Sequence, residues 1–249
     1  VLPLAIADQQ YHIEQSERML AAMSPGGPPT LYWSQAERVG LVLGYAQKHD
    51  VLNPLVNDAS GPFQRIPIYH RRAGGTAVLV GPGLLSLDVL LPADSPLVLP
   101  DIVKSYRWLG EAWVEALRYL GIETHTVSPE EAHEMRSLLK QEATHEREAV
   151  LRRACYGSLS PYEVVVGQCK VVGLDMIRRR KSSLLQAGVL LHWETETVAQ
   201  LLGHSPEEQT ILCEGLLERA IGLDTLTGRV ITPQEVIGAF EQVIFSMRT

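Results

Sequence analysis

The stretch YEVVVGQCKVVGLDMIRRRK, residues 162–181, sets two valine runs on either side of a glycine. Runs of β-branched residues bounded by turn signals read as strands, and the short link between these two reads as a hairpin. Lys170 stands at the head of the second run beside Cys169, and cations follow at Arg178, Arg179, Arg180 and Lys181. An ammonium between valines must snorkel to water, find an anion or point into a polar site. The plainer alternative is a lysine that guards an edge strand against aggregation. In a regular strand Cys169 and Lys170 face opposite ways. The four cations read either as a solvated turn or as a docking patch for an acidic partner.

Working outward, residues 8–23 carry helical spacing and stop at SPGGPP. PTLYWS and VGLVLGYAQ read as two short strands joined by a polar turn, and VLNPLVNDASGP as a connection. IPIYHRR, TAVLVG and LLSLDVLLP read as three strands, the last two paired as a hairpin across GPG. From Asp101 the period becomes 3.6: Tyr106, Leu109, Trp113, Leu117 and Leu120 share a face, and Gly121 closes the helix. ETHTV reads as a short strand. SPEE at 128–131 is a capping box with proline at the first helical position, opening one long charged helix over 130–153. SPEE at 205–208 and TPQE at 232–235 start two more helices, and LLQAGVLLHW after the hairpin is a further strand.

Strands joined by hairpin-length links, with helices segregated from them, point to an α+β fold with a mainly antiparallel sheet flanked by helices. No strand leads into G-x-G-x-x-G, and no G-x-x-x-x-G-K-[ST] occurs, which excludes the two commonest nucleotide-binding motifs. The chain of 249 residues is 45% hydrophobic, enough for a full core, and its net charge of −7 argues against non-specific nucleic-acid binding. No run of 18 apolar residues is present, so no membrane span is expected, and the opening VLPLAIAD lacks the basic start of a signal peptide. Three cysteines without C-x-x-C fit a reducing compartment, and a cytoplasmic location is the default expectation.

Chemistry concentrates in two places. In YHRRAGGTAV, residues 69–78, Gly74 and Gly75 allow close backbone approach to a ligand, and Arg71 and Arg72 stand beside them. Such a pair can hold a phosphate or carboxylate, or can be a solvated pair on a β-turn. Cys155 lies where a helix ends and a loop begins, near Arg152 and Arg153, a setting that suits a reactive thiol as well as an inert buried one. Cys213 sits in an amphipathic helix as a core residue. The histidines show no ligand spacing, so no metal site is expected.

Taken together these segments resemble the lipoate–protein ligase and octanoyltransferase family, which shares its catalytic fold with biotin–protein ligases. PPTLYWSQAERVGLVLGYAQ resembles its early strand pair, RRAGGTAV its lipoyl-binding loop, CKVVG its active-site lysine segment and LLQAGVLL its Q-H-G strand. The resemblance implies a single biotin/lipoate ligase-like catalytic domain over 1–249, without a separate accessory domain. It implies that Lys170 stabilises the oxyanion formed at the acyl carbonyl. It also implies that Arg71, Arg72, Gly74, Gly75, Thr76, Ala77, Gly173 and Gly188 line the acyl site.

The family holds two chemistries. ATP-dependent ligases carry G-R-N-D-[LI] before the lysine hairpin, for the adenylate and Mg²⁺; here that place reads ACYGSLSPYEVVV. This resembles the cysteine-type octanoyltransferases, with the pattern S/A-C-F-x-x-x-S-x-Y-E, and makes Cys155 the expected nucleophile. The expected reaction moves an octanoyl or lipoyl group from an acyl carrier protein or similar donor, through a Cys155 thioester, to a lysine of a lipoyl-type acceptor domain. No cofactor is expected for that reaction; ATP and Mg belong to the ligase alternative, which proceeds through lipoyl-AMP. Neither nucleic acid nor membrane is an expected partner. A non-catalytic subunit that binds a carrier or acceptor domain is the third reading. It draws on three departures from the family pattern: Val80 and Ala187 in place of histidines, and Asp175 in place of a small residue. Asp175 is expected to pair with Lys170 or with the arginine run, or to repel an anionic intermediate.

Overall fold

The computed structural model describes residues 1–57 and 66–246. The end of the connection expected over 51–62 therefore lies outside the described residues. The strands are β1 (Leu2–Ala7), β2 (Thr30–Ala36), β3 (Gly40–Leu43), β4 (Ile68–His70), β5 (Val78–Val80), β6 (Leu84–Pro92), β7 (His125–Thr126), β8 (Val164–Val166), β9 (Cys169–Arg178) and β10 (Ser182–Leu190). The helices are α1 (Gln9–Ala22), α2 (Ile102–Ser105), α3 (Arg107–Tyr119), α4 (Pro129–Ser137), α5 (His145–Leu151), α6 (Thr195–Leu202), α7 (Pro206–Leu217), α8 (Leu223–Thr227) and α9 (Pro233–Ser246).

Among the described residues seven strands form one sheet in the order β1-β2-β6-β10-β9-β8-β7, antiparallel throughout except for the parallel β1–β2 pair. Three more form a small sheet in the order β4-β3-β5. The α+β class holds, with two parallel pairs making the sheets mixed. Alternation decides which face of the large sheet does what. Leu85, Leu87, Val89 and Leu91 of β6, with Leu185, Ala187 and Val189 of β10, turn into the main core. There α3 and α9 cover them, and Trp33, Trp113 and Phe240 interlock with ring centroids 4.3–6.0 Å apart. The opposite face meets α1 and, at one end, the small sheet. A second core packs α5, α6 and α7 against the small sheet.

The hairpin expected across GPG does not form. β5 pairs with β3 in the small sheet, while β6 pairs with β2 and β10 in the large one. Gly81, at φ +151°, turns the chain, and the carbonyl of Gly83 accepts from Leu191 and His192 N–H, which commits the next strand to β10. β2 and β3 both form but enter different sheets.

The long charged helix is also broken. After α4 a 3-10 turn runs over Leu138–Lys140, and Gln141 is extended at ψ +128° before α5 begins. Side chains take the carbonyls that a continuous helix would use: Thr144 Oγ1 donates to Leu138 O at 2.5 Å, and His145 Nδ1 contacts Leu139 O at 2.7 Å. The capping box at Ser128 and Glu131 forms as expected.

Candidate active site

The 162–181 stretch does make a hairpin, β8 and β9, turned by Gly167 at φ +58°. β9 is an interior strand, however, and this excludes the edge-guard reading of Lys170. Lys170 is 1% exposed. Its Nζ lies 2.8 Å from Glu163 Oε2 and donates to the Cys155 carbonyl oxygen at 2.9 Å. It also stands 5.3 Å from the centre of the Tyr156 ring. Glu163 further accepts from the N–H groups of Ser160 and Leu174. Burial pushes the Glu163 carboxyl upward against the pull of Lys170 and those two donors.

The segment Cys155–Gly157 is one 3-10 turn, and a second buried cation holds its other end. Arg219 donates to Gly157 O at 2.7 Å and forks onto Glu148. The main chain joins the two clamps, since Lys170 N–H donates to Arg219 O at 2.7 Å and Ile221 N–H to Lys170 O at 3.1 Å. Upstream, Cys155 N–H donates to Ala77 O at 2.8 Å, tying the turn to the small sheet. A Cβ on Gly157 would lie 2.0 Å from Leu151 O, so only glycine allows this approach.

Cys155 opens onto a cavity of about 110 Å³ at the seam between the two sheets. Ile13, Val42, Val78, Val80 and Leu84 supply apolar walls, and Gly173 and Gly188 form a bare floor beside the Tyr156 ring. Tyr156 donates its hydroxyl to Gly188 O at 2.7 Å, and burial raises its pKa well above the usual phenol value. Of the expected site residues, Cys155, Arg71, Gly173 and Gly188 line this cavity. Lys170 lies behind the cysteine turn. Arg71 also shapes its own loop, donating to Gly74 O and Thr76 O while Gly75 takes φ +80°. Arg72 is largely exposed and reaches Glu17 at 3.4 Å, while Gly74 and Gly75 are exposed and outside the cavity. Thr76 and Ala77 act through backbone groups.

Asp175 pairs neither with Lys170 nor with the arginine run. It lines the cavity, its Oδ1 accepts from Met176 N–H, and its Oδ2 is buried without a partner among the described residues. Burial raises its pKa. The arginine run is partly spent as well. Arg178 donates to the carbonyls of Leu99 and Pro100 and to Ser105, and Arg179 pairs with Glu17 at 2.6 Å, leaving Arg180 and Lys181 exposed at the hairpin tip. All three cysteines are free thiols. Cys169 faces Glu218 O at 3.4 Å, away from the cavity, and Cys213 is half-buried in α7.

Sequence reasoning missed Asp88, Gln186 and the α1 residues above them. Asp88 of β6 is buried, accepts from Gln186 Nε2 at 2.9 Å and contacts Ser16 Oγ; both Asp88 and Gln186 line the cavity. Burial raises the Asp88 pKa above the usual carboxylate value. An aspartate inside LLSLDVLLP was the signal: it is the one charge in an apolar strand.

A family model described as "Lipoyl protein ligase A/B catalytic domain" matches residues 8–245. An octanoyltransferase LipM of Exiguobacterium is 26% identical over 176 residues, covering 71% of this chain and 60% of the relative. Another, of Anoxybacillus flavithermus, is 26% identical over 232 residues, 92% of this chain and 79% of the relative. The chain thus spans about three fifths to four fifths of the length of these two relatives. In fold it is similar to a bipartite lipoate protein ligase from Thermoplasma acidophilum, from a structural study of that ligase and its E2 lipoyl domain. The TM-score is 0.72 at 19% identity, over 97% of this chain and 80% of that one.

Proposed function

This chain belongs to the lipoyl protein ligase A/B catalytic-domain family, and we propose that it transfers a medium-chain acyl group of the octanoyl or lipoyl type through a thioester on Cys155. One observation carries this reading. Cys155 opens onto a cavity with apolar walls and two glycines in its floor, on a turn whose carbonyls are clamped by two buried cations. A structural cysteine needs neither the space nor the clamps.

The Cys155 thiolate adds to the carbonyl carbon of a donor thioester. Collapse breaks the donor C–S bond, and the donor sulfur leaves as a thiol carrying the proton that Cys155 gave up. A neutral lysine amine of the acceptor then adds to the new thioester, the C–S bond to Cys155 breaks, and an amide forms with the amine proton ending on sulfur. Nothing is oxidised, and no ATP is consumed. Lys170 Nζ lies 2.9 Å from the Cys155 backbone carbonyl oxygen, behind the turn that carries the thiol. Its side chain thereby positions the turn. The donor is an acyl carrier protein or a similar thioester, and the acceptor a lipoyl-type domain. All of this chemistry sits within a single catalytic domain.

The test is intact mass after incubation with octanoyl-loaded carrier protein, without ATP. One added acyl group mapping to Cys155 is expected, and Cys155→Ser should abolish it. An unmodified protein facing a competent donor, together with octanoate-dependent release of pyrophosphate from ATP, would instead establish the ligase chemistry.

A further inference from the structure

The cavity floor is built from two rows that run across adjacent strands of the large sheet. In the first, Ser86, Gly188 and Gly173 stand side by side on β6, β10 and β9. In the second, two residues further along, Asp88, Gln186 and Asp175 do the same. Two residues along a strand is roughly 7 Å, or about five or six bonds of an extended chain. An acyl group leaving Cys155 over the glycine row therefore meets the polar row in its distal half.

That row has open hydrogen-bonding capacity. Ser16 Oγ lies 2.8 Å from His12 O and is also in contact with Asp88 Oδ2. Ser16 Oγ is placed to donate to either oxygen, so its single proton serves both the His12 carbonyl and the Asp88 carboxyl. Gln186 spends an N–H on Asp88 Oδ1. Asp175 Oδ2, next in the row, is buried with no partner among the described residues. A buried polar atom left in this state costs free energy that a ligand donor would recover.

Past the row the cavity continues into a second compartment of about 70 Å³, sharing Asp88, Gln186 and Arg71 with the first. Its lining includes His12, Ser16, Glu17 and Ser34. Ile13, Ala73, Ile177 and Leu184 also line it, so the compartment is mixed in polarity.

We propose that Asp88, Gln186 and Asp175 make this site selective for acyl groups carrying a hydrogen-bond donor, a hydroxyl or amine, in the distal half of the chain. The choice rests on the acyl-transfer reading of Cys155, and the donor group would meet Asp175 Oδ2 and Gln186. The step is thioester exchange as above, with no further reactant.

The experiment compares hexanoyl, octanoyl and ω-hydroxyhexanoyl thioesters of N-acetylcysteamine as loaders of Cys155, followed by intact mass. Binding of the free hexanoic and ω-hydroxyhexanoic acids is measured in parallel by calorimetry. The hydroxylated chain should load roughly ten- to a hundred-fold faster than hexanoyl, because an unmet buried polar group discriminates against the analogue that lacks its partner. Asp175→Val should reverse the preference, and Asp175→Asn should largely retain it. Should either variant fail to fold, the wild-type comparison decides alone. Equal or faster loading by hexanoyl or octanoyl overturns the proposal and leaves the transfer reading intact. If nothing loads Cys155 yet the hydroxy acid binds more tightly than hexanoic acid, the transfer reading fails while the polar row stands.

Discussion

Lys170 and Glu163 are 1% and 3% exposed, and at that depth an ion pair gains little over an apolar pair of equal volume. What the pair imposes is mutual dependence. Lys170→Met leaves Glu163 buried beside two N–H donors without its cation, and should cost about 3–5 kcal/mol in denaturant unfolding. Adding Glu163→Gln removes the stranded charge and should recover most of that loss. A single variant as stable as the parent would mean that water reaches the carboxylate. This coupling also bears on assays: a dead Lys170 variant says nothing of catalysis until the double variant has been assayed for Cys155 loading. His12 illustrates the opposite solution at a buried site. Burial lowers its pKa; Gln35 O, 3.0 Å away, can only accept, so the proton sits on Nε2 and Nδ1 accepts from Tyr32.

At the scale of the element, the 3-10 turn Cys155–Gly157 is held at both ends and touches α5 through a glycine. Gly157→Ala would drive Cβ against the Leu151 carbonyl, which can move only with the end of α5. The expected cost is about 1–3 kcal/mol. The sharper readout is local: displacing the turn should change the rate at which iodoacetamide alkylates Cys155 while leaving that of Cys213 unaltered. Equal alkylation rates at Cys155 in parent and variant would show that the turn absorbs the methyl group elsewhere. Tyr156 sets the same element from above, because its hydroxyl reaches Gly188 and its ring lies over Gly173. A Cβ at Gly188 would come within 3.1 Å of the Tyr156 hydroxyl oxygen, whereas one at Gly173 would meet Tyr156 at 3.6 Å, an ordinary contact.

For the whole molecule, the site depends on how the small sheet is anchored, and Arg153 ties that sheet to α6 and α7. Its guanidinium takes Leu202 O and both oxygens of Glu208, while its carbonyl accepts from Ala77 N–H and Gln47. Arg153 first, and the His204 N–H after burial's opposing effect, hold the Glu208 carboxyl down at about 2. A carboxyl lowered on folding binds fewer protons in the native state than in the unfolded chain. Its stabilisation is complete above the unfolded value of about 4.3 and is lost as pH falls toward 2. Glu208→Gln should therefore flatten the acid limb of the stability curve between those values, measured by denaturant unfolding at a series of pH. Parallel limbs in parent and variant would remove Glu208 as a contributor.

The helix starts were legible in sequence because a cap is local: Asp8, Ser128 and Ser205 each bond a backbone N–H within three residues. The β8–β9 hairpin was legible for the same reason, with its turn glycine between two valine runs. The segments that marked Arg71, Cys155 and Lys170 were readable as a pattern, since their order survives in the chain whatever their positions in space. Tertiary structure alone decided the rest. GPG is a turn by composition, but whether it closes a hairpin or passes the chain between sheets depends on which partner strand offers free N–H and C=O groups. Lys170 could not be placed until β8 and β10 flanked its strand and Glu163 reached it. Asp88, Gln186 and Asp175 are distant in sequence and become one row only through strand register, a long-range choice made by the packing of whole faces.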